Sequence, residues 1–242
     1  MYNFFVDNDN FNENNVTING DDYNHIKNVL RMSKGNKIQV CNKESGEAFL
    51  TEIDIIDHEK IICDIIEKLE SNESNVKITV FQGIPKSDKM EYIIQKAVEL
   101  GAYDIVPVEM KYCVAKIKSP EKKIKRWQTI SEAAAKQSKR NIIPKIENPI
   151  SIKELCSEIQ KYDLTILAYE NEKETNIREL LKNNKEMKNI AIIIGPEGGL
   201  SDEEVNILKD NKAKCISLGK RILRTETASI ALLSMIMYEY EL

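Results

Sequence analysis

Apolar residues recur along this chain in two different patterns, and the change falls near residue 75. Residues 37–66 contain short β-branched runs broken by polar turns, a pattern typical of hairpin strands. Just before them lies an apolar set at helical spacing, formed by Tyr23, Ile26, Val29 and Leu30. Asp21 or Asp22 is expected to cap this helix. The first ~70 residues are therefore predicted to form a small β-barrel with one helix.

A polar, turn-rich stretch at residues 70–75 is predicted to be a linker, and beyond it strands alternate with helices. This order indicates an α/β domain. LTILAY and NIAIIIG are nearly continuous apolar runs, as expected for strands buried on both faces of a parallel sheet. The predicted domains are residues 1–72 and residues 73–242.

Three helices of the second domain can be predicted. In the first, Pro85 lies near the start, Gly101 supplies the stop, and the apolar stripe consists of Met90, Ile93, Ile94, Ala97 and Val98. A second, long helix is predicted over about residues 120–140. In the last helix, residues 228–238 are apolar on nearly all sides. We predict burial around its whole circumference, at the centre of the domain or, preferably, in a dimer interface.

The segment IIIGPEGGLSDEE, residues 192–204, places three of the nine glycines of the chain within five residues. Its order predicts a strand, a glycine turn and a helix, with Ser201 and Glu204 as a capping box. Glycines at the carboxyl end of a parallel strand let backbone groups approach a ligand. The spacing fits neither a P-loop nor a dinucleotide fingerprint, and Glu197 would repel phosphate. A cationic or aromatic ligand is therefore favoured, and a turn without a ligand is the alternative.

The segment CISLGKRILRTETA, residues 215–228, has the same order of strand, glycine, loop and helix. Two such loops side by side would form a pocket. Arg224 and Glu226 flank the start of the helix, where Thr225 can act as the cap. An ion pair between Arg224 and Glu226 is the purely structural alternative.

Composition and charge limit the kinds of binding site and the cellular location that we expect. The 242 residues carry a net charge of -4, yet residues 77–145 hold an excess of lysine and arginine, which suits either a polyanion-binding surface or a solvated helix face. Five separate cysteines without a CxxC pair predict neither a disulfide framework nor a zinc site. His25 and His58 lie far along the chain from the glycine segments. The acidic, asparagine-rich start is unlike a signal peptide, so we expect a cytoplasmic protein. The separate cysteines and distant histidines predict no metal site.

Four stretches together carry a family resemblance: HIKNVLRM, KSDKMEYIIQKAVELG, GPEGGLSDEE and LGKRILRTETA. Over about residues 2–239 the chain resembles the bacterial 16S ribosomal RNA uridine-N3 methyltransferases of the SPOUT superfamily. The resemblance implies a small PUA-like β-barrel domain and a SPOUT α/β domain tied in a trefoil knot. It also implies S-adenosyl-L-methionine (SAM) bound in the knot, and a homodimer that acts on 16S rRNA in the small ribosomal subunit. The alternatives are a SPOUT enzyme for ribose 2′-hydroxyls or transfer RNA, and an RNA-binding module without activity.

By position, the resemblance implies a SAM pocket built from Leu167, Ala168, Gly195, Pro196, Glu197, Gly198, Gly199, Leu218, Gly219, Leu223, Arg224 and Thr225. Residues 168–172 depart from the family pattern. On physical grounds, carboxylates at Glu197 and Glu226 would favour the sulfonium of SAM by about 1 kcal/mol in a partly exposed site.

Methylation at N3 of uridine needs an unpaired base and loss of the N3 proton. We expect Arg224 to stabilise the uracil anion, with Glu226 or solvent as the candidate base. The basic middle of the chain and the resemblance predict RNA contacts at Arg31, Lys86, Lys89, Lys96, Lys136, Lys139 and Arg140. The last three are predicted to share one face of the long helix, at spacing i, i+3, i+4. Such contacts make binding depend on salt.

Overall fold

The structure, a computed structural model, describes residues 1–115, 117, 119–173, 175–184 and 186–241. The chain forms two units. Unit 1 contains Met1–Glu73 and Ala135–Ile143, and unit 2 contains Ser74–Ala134 and Pro144–Leu242. Within the described residues, no helix combines the length and the apolar character that crossing a membrane requires.

Unit 1 is built on a five-stranded sheet in the order β1-β3-β4-β5-β2. Its strands are β1 (Asn3–Val6), β2 (Asn15–Asn19), β3 (Lys37–Asn42), β4 (Ala48–Ile56) and β5 (Lys60–Leu69). The antiparallel pairing of β3 with β4 and of β4 with β5 confirms the predicted hairpins. One face of the sheet covers a core that includes Ile18, Ile38, Ile53 and Ile61.

The helix of unit 1 differs from its prediction. Helix α1 (Gly20–Asn24) continues as a π-helical turn over His25–Val29, in which Leu30 N–H donates to the carbonyl of His25, five residues earlier. This wider turn rotates the later residues off the apolar stripe, and Val29 is 65% exposed. The N-cap is Asn19 rather than Asp21 or Asp22, and it makes no side-chain capping bond.

Arg140 is part of the interior of unit 1. The side chain of Arg140 is only 7% exposed, and its guanidinium donates to the Glu73 carboxylate. The same carboxylate accepts from the backbone N–H of Asn141 at 2.7 Å and of Ile142 at 3.3 Å. Glu73, predicted to lie in a linker, therefore anchors residues 140–142.

Helix α3 (Pro120–Ser138) is shorter than predicted. Lys139 has a φ of 58°, a left-handed conformation that ends the helix. The predicted common helical face of Lys136, Lys139 and Arg140 is therefore wrong, since only Lys136 lies in the helix.

Unit 2 is built on a parallel sheet in the order β12-β10-β11-β6-β7-β8, with β9 also paired to β7. Its strands are β6 (Lys77–Gly83), β7 (Asp104–Glu109), β8 (Lys145–Ile146), β9 (Ile150–Ser151), β10 (Leu164–Ala168), β11 (Asn189–Ile194) and β12 (Lys214–Ile216). Strand β11 pairs with both β10 and β6, which confirms that it is a buried parallel strand. The α/β class is as predicted, and the trefoil knot stays a prediction.

The helices of unit 2 are α2 (Lys89–Glu99), α3 as far as Ala134, α4 (Ile152–Glu158), α5 (Ile177–Lys182), α6 (Asp202–Asp210) and α7 (Thr225–Tyr240). All five predicted stripe residues of α2 are buried, although the helix begins four residues after Pro85. In α7, Leu232, Leu233 and Ile236 are buried, while Tyr238 is 70% exposed. Burial of α7 around its whole circumference is therefore not realised within one chain.

Gly101 ends α2 with a φ of +87°, and a Cβ at this position would lie 2.6 Å from Met237 Cε in α7. We expect Gly101→Ala to lower the free energy of unfolding by about 1–2 kcal/mol, since it adds both backbone strain and a clash. Thermal unfolding followed by circular dichroism measures the change in the free energy of unfolding. Gly35→Ala is the matched control, because Gly35 has a φ of +86° but open space around its Cβ position. An equal loss in both variants would show that the Met237 contact contributes nothing.

Candidate functional site

A cleft of about 410 Å³ opens in unit 2 between two loops. The 195–200 loop follows β11, and the 217–224 loop runs from β12 to α7. Strands β10, β11 and β12 are neighbours in the parallel sheet, so their carboxyl ends meet at one edge, where ligands of α/β proteins bind. The lining includes Ala168, Gly195, Pro196, Glu197, Gly199, Leu218, Gly219, Leu223, Arg224 and Thr225.

Two residues of the predicted pocket lie outside this lining. Leu167 is fully buried in the core beneath the cleft. Gly198 faces the opposite side of its loop, where a Cβ would lie 2.7 Å from Tyr112 Cβ. Within the 217–224 loop, four lining residues were not predicted, Ser217, Lys220, Arg221 and Ile222, although the basic GKRILR stretch could have indicated the last three.

Tyr169 and Glu170, from the stretch that departs from the family pattern, also line the cleft. That stretch follows β10 directly. Tyr169 N–H donates to the carbonyl of Ile216, which ties it to the end of β12.

Two glycines of the 195–200 loop lie close to neighbouring side chains. A Cβ on Gly195 would lie 2.9 Å from Leu200 Cδ1, and one on Gly199 would lie 2.7 Å from Glu170 Oε1. Gly199 also has a φ of +72°, which favours glycine. The positive φ accounts for Gly199, whereas the neighbours of Gly195 and Gly199 are the ends of flexible side chains that can move aside. The approach of a ligand to these glycines therefore stays a prediction.

The predicted capping box is present at the start of α6. Ser201 accepts from Glu204 N–H, and the Glu204 carboxylate accepts from Ser201 N–H at 2.9 Å. The other Glu204 oxygen accepts from the backbone N–H of Lys111 at 2.7 Å. The end of the 195–200 loop is thereby fixed both to α6 and to the segment after β7.

Lys89 joins two carboxylates at the edge of the cleft. Its Nζ lies 3.1 Å from Glu197 Oε1 and 3.3 Å from Glu226 Oε2. Glu197 also accepts from the backbone N–H of Lys86. The structural alternative, an ion pair of Glu226 with Arg224, is not found among the described residues, where Lys89 pairs with Glu226. Two carboxylates and one ammonium leave a net charge of −1 at this edge.

Hydrogen bonding in this cluster perturbs two pKa values. The bond to Glu197 raises the pKa of Lys89 above its ordinary value, against partial desolvation. Desolvation alone would raise the pKa of Glu197, but hydrogen bonds from its own backbone N–H, Lys89 and Lys86 outweigh it and lower that pKa. Both groups are therefore charged near neutral pH.

Thr225 does not cap α7 as predicted. Arg224 is the N-cap residue of α7 by position, without a side-chain capping bond. Thr225 lies inside the helix, and its Oγ1 donates to the carbonyl of Gly195 at 2.6 Å. The side chains of Lys220, Arg221 and Arg224 are exposed at the rim of the cleft. Within the described part of the chain, none of these three cations has an acidic partner. Beside them, Ile222 is 86% exposed.

The predicted RNA contacts are distributed over both units. Arg31 and Lys139 in unit 1, and Lys86 in unit 2, are exposed. Lys96 is paired with Glu99, Lys136 with Asp22 and Lys89 with the cleft carboxylates. Arg140 is buried and held by Glu73, so its guanidinium does not reach a phosphate on the surface of this fold.

Comparison with known proteins agrees with the fold. The chain matches family models described as "RNA methyltransferase domain" over residues 72–237 and "RNA methyltransferase PUA domain" over residues 18–66. Among curated relatives, Ribosomal RNA small subunit methyltransferase E of Bacillus subtilis is 36% identical over 93% of this chain and 91% of its own length. The protein of that name from Mesomycoplasma hyopneumoniae is 38% identical over 97% and 98%.

Among solved structures, the crystal structure of a Ribosomal RNA small subunit methyltransferase E from Neisseria gonorrhoeae bound to S-adenosyl methionine superposes with a TM-score of 0.88. It is 27% identical, over 99% of this chain and 98% of that one. Fold and cleft thus define an RNA methyltransferase with a PUA domain. The chain belongs to the family of ribosomal RNA small subunit methyltransferases E.

Proposed function

We propose that this protein transfers the methyl group of SAM to N3 of a specific uridine in the 16S rRNA of the small ribosomal subunit. The observation that carries the proposal is the cleft between the 195–200 and 217–224 loops, in a chain that belongs to the ribosomal RNA small subunit methyltransferase E family. A relative covering nearly the whole chain was crystallised with SAM. The uridine and its N3 atom come from the resemblance of the GPEGG and LRTETA motifs.

The cleft suits SAM in size, and the carboxylates at one edge suit the charge of its sulfonium. Its volume of about 410 Å³ lies within the range of small-molecule pockets, roughly 300–1,000 Å³. Backbone groups of the two loops can hold the adenine, while Glu197 and Glu226, only half neutralised by Lys89, favour a cationic sulfonium. When bound, SAM supplies the methyl group. The chain then has to orient the base and stabilise its anion.

Arg224 is the proposed catalytic cation. Its side chain lies at the rim of the cleft, exposed and without an acidic partner among the described residues. Its charge is available for a uracil that loses its N3 proton, and preorganised charge at a developing anion is a large catalytic contribution. Glu226 is the candidate base, but a proton on Glu226 would disrupt its pairing with Lys89. Solvent is therefore the better proton acceptor.

The RNA would contact the exposed cations: Arg31, Lys86, Lys139, Lys220, Arg221 and Arg224. The paired lysines, Lys89, Lys96 and Lys136, would first have to leave their carboxylates. A homodimer would use the exposed apolar side chains of α7, Met235 and Tyr238.

We expect that replacing both Lys220 and Arg221 by alanine weakens binding of the small subunit. The slope of log affinity against log salt should decrease by about one for each phosphate that is no longer neutralised. Filter binding at several salt concentrations measures the slope. Lys161→Ala, at an exposed lysine paired with Glu158, should leave the slope unchanged. Equal slopes for the double variant and the wild type would place the RNA elsewhere.

The test of the function uses tritiated SAM and small subunits that lack the modification. After nuclease digestion and nucleoside chromatography, label in 3-methyluridine is the expected result. Label in a 2′-O-methylated nucleoside would identify a different SPOUT activity. Absence of label together with absence of SAM binding in calorimetry would favour an RNA-binding module without activity.

A further inference from the structure

A buried hydrogen-bond network lies behind the cleft and joins both of its loops. Its side chains are Gln82 at the end of β6 and Thr225 and Ser229 in α7, all buried. Gln82 Nε2 donates to Thr225 Oγ1 at 2.8 Å, and Thr225 Oγ1 donates to the carbonyl of Gly195 at 2.6 Å. The amide of Gln82 is thus linked through one hydroxyl to the first residue of the 195–200 loop.

The orientation of the Gln82 amide is determined by its neighbours. Nε2 also donates to the carbonyl of Gly83 at 2.9 Å, and Oε1 accepts from Ser229 Oγ at 2.5 Å. A flipped amide would direct its oxygen at the Gly83 carbonyl, which cannot donate. Both amide protons of Gln82 are therefore committed. Since one of them meets a lone pair of Thr225 Oγ1, the Thr225 proton is directed to Gly195.

The contact of β6 with the 195–200 loop is as close as the backbone allows. A Cβ on Gly83 would lie 2.6 Å from the backbone nitrogen of Pro196 and 2.9 Å from Met110 Sδ. Such tight packing fixes the distance between β6 and the loop, whereas the Gln82 network fixes the start of α7 against both. The loop spacing, and with it the width of the cleft, depends on these two contacts.

The geometry points to Gln82 as a positioning residue, which holds the 195–200 loop and the start of α7 at the spacing that SAM requires. This inference rests on the proposed function of the cleft. Gln82 is absent from the cleft lining and so acts through Thr225. Sites held by such buried supports lose affinity when the support is removed, because the loops sample spacings that do not bind.

The experiment compares the affinity of the full-length protein for SAM in calorimetry with its melting temperature. Gln82→Met keeps the volume but removes the amide, and Thr225→Val removes the hydroxyl. Each should raise the Kd for SAM about tenfold, because a buried network is broken. Thr225→Ser restores the hydroxyl and should recover most of the affinity that Thr225→Val loses. Ser131→Ala is the control, since Ser131 Oγ donates to the carbonyl of Pro144 at 2.7 Å in the interior of unit 2, outside the cleft lining.

The expected outcome is a Kd change in the Gln82 and Thr225→Val variants but not in Ser131→Ala, together with a higher KM for SAM and an unchanged KM for the small subunit. A melting temperature that falls equally in Gln82→Met and Ser131→Ala, with the same Kd in both, would reduce Gln82 to a structural role. If Gln82→Met does not fold, Ser229→Ala decides the question, because Ser229 lies outside the cleft lining and donates to Gln82 Oε1. A raised Kd for SAM in this variant supports the positioning role, and a wild-type Kd overturns it. Failure of the wild type to bind SAM would instead overturn the proposed function itself.

Discussion

Replacing Arg224 by alanine is expected to lower kcat for methylation of the small subunit by about 10²- to 10³-fold, the usual loss when one stabilising group at a developing anion is removed. The backbone of residue 224 stays in place, so the Kd for SAM should change by less than about threefold. Single-turnover methylation with tritiated SAM measures the rate. Arg224→Lys should retain part of the activity, because it keeps the charge but not the planar guanidinium.

Arg221→Ala is the matched control for this experiment. Arg221 lies at the same rim and is exposed and unpaired among the described residues, so its loss should weaken RNA binding without lowering the rate at saturating RNA. If Arg224→Ala methylates saturating subunits at the wild-type rate, the uracil anion is stabilised by another group.

The second large effect is on stability. Glu73→Gln leaves the buried guanidinium of Arg140 without its carboxylate, and loss of one partner of a buried ion pair costs about 3–5 kcal/mol. Hydrogen exchange of the full-length protein should show faster exchange in β1 to β5. Amides of β10 and β11, in unit 2, should exchange as in the wild type.

A double replacement separates the ion pair from simple packing. Glu73→Gln with Arg140→Met removes both charges but keeps an oxygen that can accept from Asn141 N–H and Ile142 N–H. Most of the lost stability should return, because the buried guanidinium is removed together with its carboxylate. Glu44→Gln, at an exposed glutamate of unit 1, should have no effect. Unchanged exchange in Glu73→Gln would mean that water reaches Arg140 and that the ion pair contributes little.

The elements that the sequence predicted well are those whose signal is local. The apolar stripe of α2, the Ser201 to Glu204 capping box and the buried strands β10 and β11 each follow from side-chain period or from a cap within a few residues. The α7 prediction was incomplete for a physical reason. A uniformly apolar helix indicates burial, but it does not state whether the covering surface comes from the same chain.

The elements that the sequence missed depend on partners distant along the chain. Nothing near Arg140 indicates that Glu73, 67 residues earlier, neutralises it inside unit 1, and so Arg140 was wrongly grouped with surface cations. Lys89 was assigned to RNA for the same reason, although Glu197 and Glu226 hold it. The sequence did not indicate the role of Gln82, because a glutamine in a buried strand has no recognisable function until its hydrogen-bond partners are known.

The central claim is that the 195–200 and 217–224 loops together enclose SAM, and photochemical cross-linking of tritiated SAM tests it most directly. Trypsin cuts after Lys188, Lys209, Lys214 and Lys220, which separates a peptide carrying the first loop from one carrying the start of the second. The account predicts label in the peptides of residues 189–209 and 215–220, suppressed by excess unlabelled SAM. Label confined to peptides outside residues 168–224, with neither loop marked, would contradict it.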